Sequence, residues 1–313
     1  MKEIKINFVD FWPGFDKTNN YFYNLLVQKY QVCIDENPDV LFYSCYNKEY
    51  LNYNCTRIFY TAENVRPDFL ACDFAFSFDY NKRKNHFRLP LYSMYVELHG
   101  LLDKLESRKT RDEARSLWRA KTKFCCMVVS NPNSSKRLEF FATLSKVKQV
   151  DSGGSVLNNV GGRVVDKAEF IKDYKFVISF ENSQFDGYTT EKIMEPIHAD
   201  CIPIYWGNKL VDQDFNAERF LDYNTFESEE ELINRLLEID QNEELAIDIL
   251  MQPTFNVDKL SHKKEKQKVL HILSTIIENP QKPIAQQWWR YLHKCKLVYG
   301  KNKKRLLAKF KLV

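Results

Sequence analysis

Residues 174–206 read YKFVISFENSQFDGYTTEKIMEPIHADCIPIYW. Two apolar, strand-like runs, YKFVISF (Tyr174–Phe180) and CIPIYW (Cys201–Trp206), enclose a dense polar segment and a helical stretch, Thr190–Ala199. The polar segment, FENSQFDGYTTEK (Phe180–Lys192), holds three carboxylates, two amides, a tyrosine, a lysine and a glycine. Folding alone does not call for that many polar groups between two core strands. The arrangement predicts the lip of a ligand site at the carboxyl edge of a parallel sheet.

The same strand–helix alternation extends in both directions. Upstream, strands are expected at Ile4–Val9, Asp39–Ser44, Arg57–Thr61 and Phe74–Phe78, with a helix at Asn20–Lys29. A charged helical stretch, Glu97–Lys121, reads as a bridge between halves. The pattern then restarts with a strand at Lys123–Val129, a polar loop SNPNSSKR (Ser130–Arg137) and a helix at Leu138–Ser145. A short strand at Val147–Val150 precedes the loop DSGGS. Helices at Ser228–Asp240 and about Val257–Glu278 close the series, and a last one is expected in the basic tail. Long-range alternation of this kind indicates an α/β protein of two Rossmann-like domains facing a cleft. The expected division is 1–120, 121–285 and a tail, 286–313. GxGxxG and Walker patterns are absent, which disfavours a dinucleotide or P-loop site.

Composition sets wider bounds. The 313 residues are 44% hydrophobic and 28% charged, an ordinary globular balance with material for a sizeable core. Aromatics reach 14%, which suits sugar recognition, although a Phe-rich core is the commoner reason for such a content. The net charge is +4, but residues 290–313 carry nine Lys/Arg and no acid. That basic, aromatic tail fits peripheral contact with an anionic membrane, and fits a solvated tail as well. No stacking motif or basic recognition helix supports nucleic-acid binding. Eight scattered cysteines without a CxxC, and no signal peptide, suggest free thiols in the cytoplasm. No apolar run reaches 18 residues, so no membrane-spanning helix is expected.

Four places could carry chemistry. Tyr188, Glu191 and Lys192 fall in or near the first turn of a helix, where N–H groups, the dipole and a lysine suit a phosphate or pyrophosphate. An ordinary capped helix start with a solvated lysine explains them too. Arg137 stands near the start of another strand–loop–helix unit and can grip phosphate oxygens bidentately, or lie on the surface. Glu63, after the strand in RIFYTAEN (Arg57–Asn64), is a candidate general base or a turn carboxylate. Trp12, in FWPG after the first strand, could stack on a sugar ring or pack beneath a loop. HxH and HExxH are absent, and the single DxD spacing, Asp212 and Asp214, is weak, so no metal is expected.

FENSQFDGYTTEK resembles the signature of the α-1,3/4-fucosyltransferases, glycosyltransferase family 10. RIFYTAEN, LPLY (Leu89–Tyr92), SNPNSSKRLEFF, DSGGSVLNNVGGRV and IPIYWG (Ile202–Gly207) are similar to further family elements, in the family's order, across about half of the chain. The resemblance implies a B-type arrangement of two Rossmann-like domains. It implies GDP-β-L-fucose as donor on the C-terminal domain, a glycan acceptor on the N-terminal one, inversion at the anomeric carbon, and no bound metal. Carried over residue by residue, it implies Glu63 as general base. It implies Arg137, Asn182, Tyr188, Glu191 and Lys192 on the donor, with Trp12 near the acceptor. Ala62 stands where a related bacterial enzyme has glycine, and the acceptor-facing loops match poorly, which leaves α-1,3 against α-1,4 linkage open. The vertebrate membrane anchor and bacterial heptad repeats are absent, as expected for a bacterial cytoplasmic enzyme. Another nucleotide sugar on the same scaffold is the competing expectation.

Overall fold

The computed structural model describes residues 1–259 and 261–289, which divide into two compact units. The first holds a six-stranded parallel sheet: β1 (Glu3–Val9), β2 (Gln31–Ile34), β3 (Val40–Tyr43), β4 (Thr56–Tyr60), β5 (Phe74–Ser77) and β6 (His86–Arg88). Their order is β2-β1-β3-β4-β5-β6. The central strands VLFY and TRIFY are buried at every position, because a parallel sheet is covered on both faces. Between β1 and β2, helix α1 (Tyr21–Leu26) starts where the Asn20 side chain accepts from the Tyr23 N–H, and it buries Tyr21, Phe22, Leu25 and Leu26. It is shorter than the expected Asn20–Lys29, because Val27 closes the helix. The two strands of this unit missed in the sequence, β2 and β6, are short edge strands with no fully buried side chain and no clear alternation.

The second unit opens with three helices, α2 (Leu91–Leu98), α3 (Leu102–Glu106) and α4 (Arg111–Ala120). Its sheet contains β7 (Lys123–Met127), β8 (Val150–Ser152), β9 (Tyr174–Phe180), β10 (Ile202–Trp206) and β11 (Leu221–Asp222), all parallel. The order β11-β10-β9-β7-β8, counted from β7, repeats the pattern of the first five strands of the chain. Helices α5 (Ser135–Val147), α6 (Lys167–Ile171) and α7 (Glu191–His198) link successive strands, and α8 (Glu229–Gln241) and α9 (Glu243–Leu250) follow. Val147 is the last residue of α5, so β8 falls three residues later than expected.

The division at 120/121 expected from the sequence moves to 89/90. Packing explains the move. Tyr92, Val96 and Leu105 join Ile193, Met194, Ile197 and Tyr205 in one core cluster. In α4, a Thr110–Glu113 capping box starts the helix, and Ala114 and Trp118, one turn apart, are buried with Phe176. Arg111, Arg115 and Arg119 repeat at the same interval and pair with Glu243 and Glu244 of α9. Residues 97–121 are thus a packed layer of the second unit, not a bridge.

Helix α10 (His262–Glu278) returns to the first unit. Tyr30 donates to Glu278 at 2.6 Å, and Asp73 accepts the Ile284 N–H at 2.7 Å. The expected start near Val257 moves to His262, and α9 was not foreseen. The basic tail expected to contact membrane, residues 290–313, lies outside the described residues.

Candidate functional site

Both sheets change winding direction beside their first strand, between β1 and β3 and between β7 and β9. In open α/β sheets the loops that diverge from the carboxyl ends at such a point are the usual ligand position. In the second unit Arg137 spans this point. It stands in the first turn of α5 but is only 1% exposed. Its Nε and Nη2 donate to the Phe180 carbonyl at 3.1 and 2.7 Å, and Nη2 also donates to Asn182 Oδ1 at 2.8 Å. Nη1 reaches the Asn131 carbonyl at 3.3 Å. Burial pulls the guanidinium pKa below its ordinary value, with nearby Glu181 opposing. Arg137 therefore lies beneath the lip, where it ties β9 to the β7 loop and fixes the orientation of the Asn182 amide.

Helix α7 begins at Glu191, so Glu191 and Lys192 occupy its first turn as expected. Thr190 is the N-cap, yet its side chain does not cap the helix. Its N–H and Oγ1 donate instead to Glu181, at 2.7 Å to Oε1 and 2.8 Å to Oε2. Glu181 has no exposed surface. Lys192 Nζ sits 3.2 Å from Glu181, 3.3 Å from Glu191 and 2.9 Å from Thr190 Oγ1. Burial pushes the Glu181 carboxyl up, against the pull of Lys192. For Glu191 burial acts the same way, but Lys192 and Lys167 outweigh it and hold the carboxyl below its ordinary value. Burial would lower the Lys192 ammonium, and the two carboxylates reverse that, so it stays charged.

The loop between β9 and α7 is held from below. Gly187 has φ +87°, and a Cβ there would stand 2.3 Å from the Phe78 carbonyl oxygen, so only glycine fits. Buried Asn208 accepts the Gly187 and Leu210 N–H groups at 2.7 and 2.9 Å and donates to Thr189 at 3.0 Å. Tyr188 is 3% exposed, its ring edge-on to Phe78 at 5.2 Å between centroids. Glu181 and Asn208 were not foreseen as site residues. Glu181 was signalled only as one carboxylate of the polar segment after Phe180, and Asn208 only by its place two residues after Trp206.

In the first unit Glu63 follows β4, half-buried, with its N–H on Thr61 Oγ1 at 3.1 Å. Its Oε1 accepts the Tyr46 hydroxyl at 2.8 Å. Asp10, after β1, adopts φ +61°, costly for a side chain that is not glycine. Its carboxylate accepts the Glu49 and Tyr50 N–H groups, both at 2.9 Å, and its carbonyl accepts the Tyr46 N–H at 3.0 Å. Trp12, 36% exposed, packs edge-to-face with Phe15 at 5.0 Å and with the Tyr46 ring at 6.5 Å between centroids. The ends of β1, β3 and β4 thus carry an aromatic pair beside a carboxylate.

Asp212 is exposed whereas Asp214 is buried, so the DxD spacing does not present two carboxylates together. Among the described residues no group of three His, Cys, Asp or Glu could hold a metal ion. The seven described cysteines are free thiols, and no described helix is long and apolar enough to cross a membrane.

Comparison with known proteins bears on both units. Residues 6–95 match the alpha-(1,3)-fucosyltransferase FucT N-terminal domain, and residues 118–269 match glycosyltransferase family 10 (fucosyltransferase), C-term. The chain is 31% identical to the alpha-(1,3)-fucosyltransferase FucT of Helicobacter pylori, over 83% of this chain and 62% of that protein. It therefore spans less than two thirds of that relative's length. An alpha1,3-fucosyltransferase solved with GDP superposes with TM-score 0.75 at 29% identity, covering 90% of this chain and 92% of that one. An alpha1,3-fucosyltransferase solved with GDP-fucose gives 0.74 at 29% identity, with the same coverage.

Proposed function

The chain belongs to glycosyltransferase family 10, and from that premise we propose that it is an inverting α-1,3-fucosyltransferase. In this reading it moves L-fucose from GDP-β-L-fucose to a hydroxyl of an N-acetylglucosamine- or glucose-containing glycan of the N-acetyllactosamine or Lewis type. The observation that carries the reading is the meeting of Tyr188, Glu191 and Lys192 at the start of α7 with the Arg137–Asn182 pair at one switch point. The GDP-bound and GDP-fucose-bound relatives support a nucleotide-sugar donor there.

The chemistry follows from charge. The bond between C1 of fucose and the β-phosphate oxygen breaks, and GDP leaves with the electron pair. The acceptor oxygen bonds to C1 from the opposite face, and its proton passes to the Glu63 carboxylate. Charge gathering on the β-phosphate is stabilised by Lys192 and the Tyr188 hydroxyl, with Arg137 contributing its buried charge. Asn182, its carbonyl oxygen fixed by Arg137, and Glu191 orient the rest of the donor. Trp12 stacks on the acceptor sugar. No step in this scheme calls on a metal. Cytoplasmic placement, with the basic segment 290–313 touching anionic lipid, belongs to the same reading; liposome binding that salt weakens and truncation abolishes supports it.

The test is a donor panel of GDP-fucose, GDP-mannose and UDP sugars against an acceptor array, with product linkage read by NMR. Transfer from GDP-fucose to O3 is expected. Exclusive use of another donor overturns the donor assignment, and an O4 product overturns the linkage.

A further inference from the structure

Glu181 is a carboxylate with no exposed surface, set under the cation assigned to the donor diphosphate. It takes up two groups that an incoming phosphate would use. Lys192 Nζ lies 3.2 Å away, and the Thr190 N–H at the helix cap donates to it at 2.7 Å. Glu181 cannot swing aside. Gly207 packs so closely that a Cβ there would stand 2.5 Å from Glu181 Cγ, and both Glu181 oxygens are engaged by Thr190. The movable partner is Lys192, whose side chain is 17% exposed and unbranched.

We propose that Glu181 competes with the diphosphate for Lys192 and so limits how tightly GDP is held. This rests on the reading of Lys192 as a donor-site cation. With the site empty, the buried carboxylate stands in for the phosphate charge and keeps the ammonium in place. With GDP bound, Lys192 is shared between two anions, and each weakens the other's hold. Glu181 is thus a positioning residue that acts through Lys192. Its benefit is release: a site that must let go of GDP each turnover gains from an internal counter-anion, because product departure limits many well-evolved enzymes.

The test is calorimetric titration of the full chain with GDP at one fixed pH. Glu181→Gln keeps the acceptor for Thr190 and removes the charge; it is expected to tighten GDP binding by about tenfold, because the Lys192 ammonium, 3.2 Å from Glu181, is then left to the diphosphate alone. In the Lys192→Ala background the same substitution is expected to change GDP affinity less than about twofold, because the shared partner is gone. Should Glu181→Gln not fold, Glu181→Asp decides: it retains the buried charge but draws it back from the ammonium, and a smaller tightening is expected. Equal or weaker GDP binding in the folded variant overturns the proposal, as does an undiminished effect without Lys192. Absence of GDP binding by the unsubstituted protein overturns instead the reading on which it rests.

Discussion

The Tyr46 hydroxyl donates to Glu63 Oε1 at 2.8 Å, joining the loop after β3 to the loop after β4. The backbone of Tyr46 is held in turn by the carbonyl of Asp10. A carboxylate fixed on one oxygen presents the other in a defined direction, which is what a base needs. Tyr46→Phe is therefore expected to lower kcat about 10-fold with the KM for GDP-fucose unchanged. Initial rates with both substrates varied check this.

Glu63→Gln removes the carboxylate proposed as the proton acceptor and keeps the shape. Transfer is expected to fall by about 10²–10⁴-fold. GDP affinity, measured by calorimetry, is expected to stay within about twofold, because the groups assigned to GDP all belong to the second unit.

Lys192→Ala takes away the ammonium from the start of α7. Hydrogen bonds to charged groups contribute about 1.5–3 kcal/mol, so GDP is expected to bind at least about tenfold more weakly. Unchanged binding would remove Lys192 from the donor site.

Arg137→Lys keeps the charge but loses the planar fork that grips the Phe180 carbonyl and Asn182 together. Buried acceptors left without donors are costly, and a loss of about 2 kcal/mol is expected in urea unfolding. GDP affinity should fall as well, since the Asn182 amide is no longer fixed.

Gly187→Ala places a Cβ against the Phe78 carbonyl oxygen at a residue with φ +87°. The backbone term alone is about 1–3 kcal/mol. A lowered Tm together with weakened GDP binding is expected, because Tyr188 is the next residue.

What could be read from the sequence was what local patterns determine. The runs YKFVISF and CIPIYW became β9 and β10, and Glu191 and Lys192 stand in a helical first turn, because a strand–loop–helix order needs only neighbours. Arg137 read as a surface or phosphate arginine because nothing near it in sequence shows the Phe180 carbonyl, 43 residues on. Glu181 and Asn208 were missed for the same reason. Their partners, Thr190 and Gly187, are nine and 21 residues away and meet them only once β9 and β10 lie in register. The return of α10 was still less visible, since Tyr30 and Glu278 are 248 positions apart.

That return bears on how family members can be recombined. The chain leaves the first unit after Ser77, rejoins it after Tyr80, leaves again after Leu89 and comes back at Ser261. A chimera made with a single crossover near the middle of the chain would pair the six strands of one parent with the α10 of another. Tyr30 would then face a foreign residue in place of Glu278, and the Ile284 amide would meet a foreign loop at Asp73. Exchanging first units between relatives therefore takes two junctions, one beside Pro90 and one before Ser261, with residues 1–89 and the C-terminal helix inherited as a pair.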